Sequence, residues 1–203
     1  MDQQDDLQAM FQPVEDSRMS SKSVRPQVTI YSDGSYKPQI EFGGYGSLMY
    51  WNNDILLMYG GSPGDSNNRM ELTAVLSALR HLVVPCDVTL YSDSKYVVDA
   101  LNGYLINWVN NGWRTSQNKP VSNQDLWMEM YRFTQIHRII PVWIKGHAGH
   151  PENEQCDRLA SMGAYDSAQM QLPPSPQLLQ DLARGKYPGC EEEDAPFDYY
   201  LGQ

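Results

Sequence analysis

The hexapeptide VTIYSD at residues 28–33 returns almost unchanged as VTLYSD at residues 88–93. In each copy apolar and polar residues alternate, which is the pattern of a β-strand that buries one face. Both copies end in an aspartate, Asp33 in the first and Asp93 in the second. The repeat therefore predicts two similar strands, each with a carboxylate at its carboxyl end.

A helical segment lies between these two strands. The sequence NNRMELTAVLSALRHL at 67–82 has a broad apolar stripe at helical spacing, and either Ser66 or Asn67 can cap its start. Strands joined by a helical crossover are usually parallel neighbours, and active sites of open α/β sheets gather at the carboxyl ends of such strands. We therefore expect Asp33 and Asp93 to lie side by side.

The remaining segments complete an α/β pattern. Two runs rich in β-forming residues, separated only by Asn53, predict a tight hairpin after the first strand. One or two helices, a polar loop, a helix capped by Asn123, a fifth strand and a helix that starts at Pro151 follow later in the chain. These elements are predicted at residues 43–52, 54–61, 94–111, 112–123, 123–137, 139–146 and 151–164. The fold class is therefore α/β, with a five-stranded mixed sheet and helices on both faces.

Length and composition favour one domain with appendages, because 203 residues are crowded for two well-formed cores. The predicted parts are a flexible polar extension at 1–24, a folded domain at 25–164, and an acidic, largely disordered tail at 165–203 with one short helix at 176–184. The sequence starts without a secretory signal pattern, has no apolar run of membrane-spanning length, and contains three widely spaced cysteines. We expect a soluble, cytoplasmic monomer that does not contact a membrane.

The net charge of −10 argues at first against nucleic acid as a partner, because phosphate binding favours an excess of lysine and arginine. The distribution of charge weakens that argument. Residues 25–164 carry 13 acidic and 11 basic residues, whereas the segments on either side together carry 12 acidic and 4 basic residues. If carboxylates of the central domain hold divalent cations, that domain becomes net positive. An acidic composition therefore does not exclude an anionic polymer.

Five motifs occur in an order and at spacings that resemble type 1 ribonuclease H. They are YSDGS at 31–35, NNRMEL at 67–72, YSDSKYV at 91–97, DLW at 125–127 and VWIKGHAGHPENEQCDRLA at 142–160. The resemblance covers about residues 25–164, and the last motif is long enough to be highly specific. It implies a ribonuclease H-like fold and an endonuclease that hydrolyses the RNA strand of RNA–DNA hybrids, leaving 5′-phosphate and 3′-hydroxyl ends.

The resemblance also implies a metal site formed by four carboxylates, those of Asp33, Glu71, Asp93 and Asp157. The positions of the residues agree with it, because two of them end adjacent strands, Glu71 lies one turn into a helix and Asp157 about two turns into the last helix. Converging carboxylates repel one another unless they are protonated or bind a cation. Hard oxygen ligands select Mg²⁺, with Mn²⁺ as an alternative, and two such ions can catalyse an in-line phosphodiester displacement.

Each of these residues also has a plainer interpretation. A single aspartate or glutamate is usually a solvated surface charge, and only the joint pattern favours a metal site. His147 matches the family's histidine that assists proton transfer or product release, although a histidine taken alone is more often a loop or core residue. We interpret His150 as a capping or structural residue. Cys156 is interpreted as a packing residue, because a thiolate is a poor ligand for Mg²⁺.

An RNA–DNA hybrid is distinguished from other duplexes through its 2′-hydroxyls and its groove, which amide and hydroxyl side chains suit. The resemblance implies that Asn67 and Asn68 contact the minor groove and that Gly34 and Ser35 lie beside the metal site. Lys95 stands where many relatives carry glutamine, and it can reach a sugar or a phosphate. The alternative for Asn67 is a plain helix cap.

Residues 104–120 resemble the basic protrusion that grips the DNA strand in this family, with Trp108, Trp113 and Arg114 as candidate contacts. Only Arg114 and Lys119 are basic in this segment, where many relatives carry several lysines. We therefore expect fewer phosphate contacts, weaker hybrid binding and a shallower salt dependence. The alternative interpretation is that both tryptophans are packing residues.

Two other functions fit the same fold. One is a non-catalytic module that binds a hybrid or a partner, which the loss of a carboxylate would signal, but all four are present. The other is a related metal-dependent exonuclease or strand transferase, which lacks the combination of NNRMEL and KGHAGHPEN. In the N-terminal extension, QDDLQAMF at 4–11 partly resembles a sliding-clamp-binding peptide and suggests a weak clamp contact. A short acidic lead-in is the alternative for that segment.

Overall fold

The computed structural model describes residues 24–171, which form a five-stranded sheet with the strand order β3-β2-β1-β4-β5. The strands are β1 (Gln27–Lys37), β2 (Phe42–Trp51), β3 (Asp54–Pro63), β4 (Asp87–Ser92) and β5 (Arg138–Trp143). The helices are α1 (Asn67–Leu79), α2 (Lys95–Asp99), α3 (Leu105–Asn110), α4 (Gln124–Ile136) and α5 (Pro151–Gln171), with a π-helical turn at Ala100–Tyr104 between α2 and α3. The predicted mixed α/β sheet with five strands is confirmed. None of the described helices is long and apolar enough to span a membrane.

The central strand of the sheet is β1, which pairs antiparallel with β2 and parallel with β4. The parallel pairing sets Ser32 opposite Ser92, so that the residues after them, Asp33 and Asp93, reach the same edge of the sheet. The turn between β2 and β3 contains Asn52 and Asn53, with Asn52 in the left-handed conformation. The hairpin turn therefore has two residues and not the one that was predicted, which is the length that a tight hairpin needs.

The larger hydrophobic core lies between one face of the sheet and the helices α1 and α4. It contains Val28 and Ile30 of β1, their counterparts on β4, and the fully buried Trp127 of α4. The indole Nε1 of Trp127 donates to Tyr96 Oη at 2.7 Å, so its polar atom is satisfied inside the core. In each copy of the hexapeptide the apolar residues therefore point into this core, and the residues between them point to the opposite face of the sheet.

Helix α5 covers the opposite face, where it packs against β1, β2 and β3. It continues to Gln171, seven residues beyond the predicted end of the domain at residue 164, because Ala164 and Ala168 bury against Phe42. The first residues of the segment predicted as an acidic tail are therefore helical. The predicted short helix at 176–184 and the N-terminal extension lie outside the described residues.

The structure selects Ser66 from the two predicted caps of α1 and contradicts the predicted cap of α4. Ser66 Oγ accepts from the Arg69 N–H at 3.3 Å and caps α1, so the interpretation of Asn67 as the cap is wrong. Asn123 precedes α4 but makes no side-chain cap, because it has a left-handed backbone (φ 55) and its Nδ2 donates to Tyr96 Oη at 3.3 Å. The predicted cap by Asn123 is therefore wrong as well. The prediction that α5 starts at Pro151 is confirmed.

Candidate active site

The carboxylates of Asp33, Glu71 and Asp93 converge at the carboxyl ends of β1 and β4. Each offers one oxygen, and these three oxygens all lie within 4.8 Å of one another. Asp33 and Asp93 come from the paired parallel strands, and Glu71 comes from α1, which packs against β1. The structure thus brings three of the four predicted metal ligands together.

Gly34 allows α1 to approach β1 closely enough to deliver Glu71. A Cβ atom at position 34 would lie 2.2 Å from Glu71 N and 2.5 Å from the main-chain carbonyl carbon of Met70. No side chain fits at such distances, so any residue other than glycine would push the helix away from the strand. The Gly34 N–H also donates to Asp33 Oδ1 at 2.7 Å. One glycine therefore holds one carboxylate and makes room for the next.

Burial changes the protonation of two carboxylates in this cluster. Asp33 is only 8% exposed, and burial, followed by the charges of Asp93 and Asp157, raises its pKa from 3.8 to about 7. Burial, followed by the charges of Asp33 and Asp93, raises the pKa of Glu71 well above its ordinary value. The Gly34 N–H opposes both shifts. Near neutral pH the metal-free cluster therefore retains protons.

Asp157 lies on α5 and is half-buried, outside the group of three oxygens. Its charge nevertheless raises the pKa of Asp33 and, to a smaller extent, that of Glu71. It is the seventh residue of α5, about two turns from the start of the helix. The fourth predicted ligand is therefore within electrostatic reach of Asp33 and Glu71, but it does not belong to the group of oxygens that all lie within 4.8 Å of one another.

The donor set of the cluster fits a hard divalent cation, because every donor is a carboxylate oxygen. Glu71 Oε2 is buried and makes no hydrogen bond to any residue in 24–171. A buried carboxylate oxygen without a partner is costly unless a cation or a water satisfies it. The neighbouring thiol of Cys156 does not compete as a ligand, since burial raises its pKa and keeps it protonated.

His147 lies in the loop between β5 and α5, where its side chain is exposed and its backbone is left-handed (φ 51). Among residues 24–171, its imidazole is not in hydrogen-bonding contact with the carboxylates. At the end of the same loop, His150 O accepts from the Glu154 N–H at 3.0 Å, which places His150 at the start of α5. The role of His147 in proton transfer therefore stays a prediction.

Several residues predicted to contact the substrate lie close in the chain to the carboxylates. Asn67 and Asn68 are exposed in the first turn of α1, and Ser35 follows Gly34 on β1. Lys95 is exposed at the start of α2, with its Nζ 5.1 Å from the centre of the Trp143 ring. Each lies within four residues of Asp33, Glu71 or Asp93 in the chain, and its contact with a substrate stays a prediction.

Trp108 and Trp113 are half-buried and pack against the main core. The Trp108 ring meets Trp127 edge to face, with 5.4 Å between ring centres. Arg114 is exposed, and its Nη1 donates to Asn118 O at 2.8 Å. These contacts favour the packing interpretation for both tryptophans and leave Arg114 as the most accessible of the three predicted contacts.

Two residues that the sequence did not single out hold Asp93. Asn153 Nδ2 donates to Asp93 Oδ2 at 3.2 Å, and Trp143 Nε1 donates to Asp93 O at 3.0 Å. Asn153 precedes Asp157 by four residues, so both lie on the same face of α5, and that spacing was the signal available in the sequence. Trp143 carried no sequence signal that distinguishes it from a packing residue.

A salt bridge joins the NNRMEL and DLW motifs. The Arg69 guanidinium donates to both carboxylate oxygens of Asp125, at 3.0 Å and 2.7 Å, and its Nε lies 3.2 Å from Asp65. This pair ties α1 to α4. The two motifs are therefore linked structurally, through an arginine on the same helix as Glu71.

Comparison with known proteins agrees with this fold. A family model described as RNase H matches residues 25–165. The chain belongs to the RNase H family. Over 137 residues it is 44% identical to a ribonuclease H of Brucella ovis, covering 68% of this chain and 89% of that protein. A ribonuclease H of Cupriavidus necator is 46% identical over 137 residues, covering 68% of this chain and 94% of that protein.

Solved structures of the RNase H family share the architecture. LC9-RNase H1, described as a type 1 RNase H with the type 2 active-site motif, matches with a TM-score of 0.62 at 30% identity, covering 70% of this chain and 74% of that one. A foamy viral protease-reverse transcriptase in complex with an RNA/DNA hybrid matches with a TM-score of 0.58 at 19% identity, covering 70% and 20%. The second likeness shows the fold alone. The resemblance to ribonuclease H that the five motifs indicated is confirmed.

Proposed function

We propose that the chain is a metal-dependent endonuclease that hydrolyses the RNA strand of RNA–DNA hybrids. The observation that carries this proposal is the convergence of three carboxylate oxygens within 4.8 Å on the fold of the RNase H family. Relatives at 44% and 46% identity are ribonucleases H. Buried carboxylates with raised pKa values and an unpartnered Glu71 oxygen support a cation site at this position.

In this proposal the carboxylates of Asp33, Glu71, Asp93 and Asp157 hold two divalent cations, Mg²⁺ or Mn²⁺. When bound, such a pair supplies an activated water and stabilises the departing 3′-oxygen of an in-line displacement, which leaves 5′-phosphate and 3′-hydroxyl ends. The protein contributes the placement of the ligands through the parallel strands and through the close approach of α1 at Gly34. Asp33 gives up its proton when a cation binds, because a carboxylate ligand must be deprotonated.

His147 is the candidate for moving a proton near the reacting phosphate or for assisting product release. Its exposed position in the β5–α5 loop supports this role, because a group that exchanges protons with solvent needs access to it. The left-handed backbone at this residue belongs to a turn that brings the loop back towards α5. If a His147→Ala variant cuts the hybrid at the wild-type rate across pH 6–8, His147 has no role in proton transfer or product release.

The hybrid is proposed to lie across the carboxylate edge of the sheet. Asn67 and Asn68, exposed at the start of α1, suit hydrogen bonds to 2′-hydroxyls and base edges in the minor groove. The other proposed contacts are Gly34 and Ser35 beside the scissile phosphate, Lys95 to a sugar or a phosphate, and Arg114 towards the DNA strand. The core packing of Trp108 and Trp113 favours a structural role for these two predicted contacts. The scarcity of lysine around Arg114 predicts a shallow salt dependence of binding, which a titration indicating six or more phosphate contacts would contradict.

The central experiment is hydrolysis of a labelled RNA–DNA hybrid by the purified full chain, beside duplex DNA and duplex RNA, in Mg²⁺, Mn²⁺ or EDTA. We expect cleavage of the hybrid RNA alone, with 5′-phosphate ends, and no cleavage in EDTA or by Asp93→Asn. Asp54→Asn is the matched control, because Asp54 is an exposed aspartate in the hairpin at the opposite end of the sheet. Intact hybrid RNA with wild-type protein in both metals contradicts the proposal.

A non-catalytic module that binds a hybrid is the alternative, and the same experiment separates it, since such a module binds the hybrid without cutting it. The proposed sliding-clamp contact through residues 4–11 lies outside the described residues. A clamp pull-down that is unchanged when residues 1–24 are deleted would dismiss it. The monomeric state stays a prediction, which light scattering of the purified chain tests.

A further inference from the structure

Asn153 is a buried polar residue at the carboxylate cluster, and one of its atoms has no partner. The residue is 3% exposed in the first turn of α5. Its Nδ2 donates to Asp93 Oδ2 at 3.2 Å, whereas its Oδ1 is buried and accepts no hydrogen bond within residues 24–171. Buried amide oxygens are normally hydrogen-bonded, so the free Oδ1 requires an explanation. Because both amide atoms share one carbon, Oδ1 lies beside the Asp93 carboxylate.

Gly146 contacts the same carboxylate oxygen from the loop before α5. A Cβ atom at position 146 would lie 2.5 Å from Asp93 Oδ2, so the glycine backbone packs directly against this oxygen. Trp143 Nε1 holds the main-chain carbonyl of Asp93 at 3.0 Å. The segment from β5 to α5 therefore fixes Asp93 at its main chain and at Oδ2. This arrangement fixes the orientation of the Asp93 carboxylate at the cluster.

We propose that Asn153 is a positioning residue of the metal site, an inference that rests on the proposed function. Its Nδ2 holds Asp93 Oδ2 and so orients the Asp93 carboxylate towards the site that would hold the cation, and its unpartnered Oδ1 would accept a hydrogen bond from a water at that site. A neutral amide donates and accepts at the same time, which neither a carboxylate nor an aliphatic side chain of similar size does. Both polar atoms of Asn153 then have a partner when the site is loaded.

The test is the affinity of the purified full chain for Mn²⁺, measured by titration calorimetry and by the rise of Tm with added Mn²⁺. Asn153→Ala removes the amide, and Asn153→Leu removes its hydrogen bonds while keeping most of its volume. Each is expected to weaken Mn²⁺ binding by about 10-fold or more, since residues that orient metal ligands typically contribute 10- to 100-fold. Asn153→Ser returns a hydroxyl and is expected to bind more tightly than Asn153→Ala.

Gln155→Ala is the matched control, because Gln155 is a half-buried amide two residues farther along α5. It is expected to bind Mn²⁺ as the wild type does. A purely structural role of Asn153 would lower Tm in EDTA and leave the Kd for Mn²⁺ unchanged in Asn153→Leu, and that result overturns the proposal. If Asn153→Ala does not fold, Asn153→Ser decides, and a wild-type Kd in that variant together with a wild-type Kd in Asn153→Leu also overturns it.

The outcomes also separate this inference from the proposed function. If the wild type neither binds Mn²⁺ nor cuts a hybrid, the proposed function fails and the inference fails with it. If the wild type does both and the Asn153 variants bind Mn²⁺ with its affinity, only the positioning role fails. A second readout is the Mg²⁺ concentration that gives half-maximal cleavage, which is expected to rise about 10-fold in Asn153→Leu and to stay unchanged in Gln155→Ala.

Discussion

Strands β1 and β4 carry nearly the same hexapeptide, yet their aspartates lie in different surroundings. β1 continues past Asp33 to Lys37 and pairs with β2 beyond that residue, so Asp33 is buried and its pKa is raised to about 7. β4 ends at Ser92, and Asp93 is half-buried at the start of a helix, where Asn153 donates to its carboxylate. Two similar sequences thus supply one carboxylate inside a strand and one at a helix start.

The residue that follows each aspartate accounts for much of this difference. Gly34 has no side chain, and the backbone of α1 occupies the space that a side chain would fill. Ser94 has a side chain that caps α2, with its Oγ accepting from the Val97 N–H at 3.4 Å. The hexapeptide therefore determines the strand, and the next residue determines which helix can approach its end.

The largest expected effect tests whether the two aspartates are equivalent in catalysis despite their surroundings. Asp33→Asn and Asp93→Asn should each lower the single-turnover cleavage rate of a hybrid about 1000-fold or more, because loss of a metal ligand removes several kcal/mol of transition-state stabilisation. Asp54→Asn should cut at the wild-type rate. A variant at position 33 or 93 that retains more than a tenth of the rate shows that its aspartate is not a required ligand.

The second prediction concerns Gly34, where the structure leaves no space for a side chain. Gly34→Ala should lower the free energy of unfolding by about 3 kcal/mol, the upper end of the usual cost of overpacking, because the new Cβ meets the backbone of Glu71 and not a flexible side chain. Urea unfolding in EDTA measures this effect without a contribution from metal binding. Ser35→Ala, one residue farther along β1, is the control. A loss below 1 kcal/mol in Gly34→Ala would mean that α1 shifts at little cost.

The third prediction concerns stability and pH in the metal-free protein. The folded pKa of Asp33, about 7, lies above its ordinary value of 3.8. Stability from its proton is therefore fully present below about pH 4 and is lost as pH rises through 7. Asp33→Asn has no such loss, so in EDTA it should be more stable than wild type by on the order of 2 kcal/mol at pH 8 and about equally stable at pH 4.

Asp54→Asn is the control for this pH dependence, because Asp54 is exposed. Its free energy of unfolding should follow that of the wild type between pH 4 and pH 8. If Asp33→Asn is less stable than the wild type at pH 8, ionisation of the buried Asp33 carboxylate does not destabilise the metal-free protein.

The parts of the fold that the sequence predicted correctly depend on local patterns. The strict alternation before Asp33 and Asp93 defined two strands, and the helical crossover between them required parallel neighbours. The neighbourhood of these two carboxylates followed from that topology. Glu71 was predicted from the family resemblance. Its position in the cluster depends on the close packing of α1 against Gly34.

The parts that were not predicted depend on distant contacts. Asn123 does not cap α4 because its side chain donates to Tyr96, which is 27 residues away in the chain. Helix α5 runs past residue 164 because Phe42 of β2 covers its alanines. Asn153 lies between Glu152 and Glu154 in the sequence, and its burial against Asp93 becomes evident only in the fold. Periodicity carries no information about which distant side chain meets which helix.

The smallest expected effect concerns Ser94, the residue that follows Asp93. Ser94→Ala removes the cap of α2 and should lower the free energy of unfolding by about 1 kcal/mol, and Ser94→Gly by only a few tenths. Urea unfolding in EDTA measures both beside Gly34→Ala. We expect the loss of stability to be largest in Gly34→Ala, smaller in Ser94→Ala and smallest in Ser94→Gly. This order follows if a substitution at position 34 is opposed by the lack of space between β1 and α1, whereas a substitution at position 94 removes a single hydrogen bond. If Ser94→Ala costs as much as Gly34→Ala, the edge of β4 is as tightly packed as that of β1, and the residue after each aspartate does not explain why the two carboxylates differ.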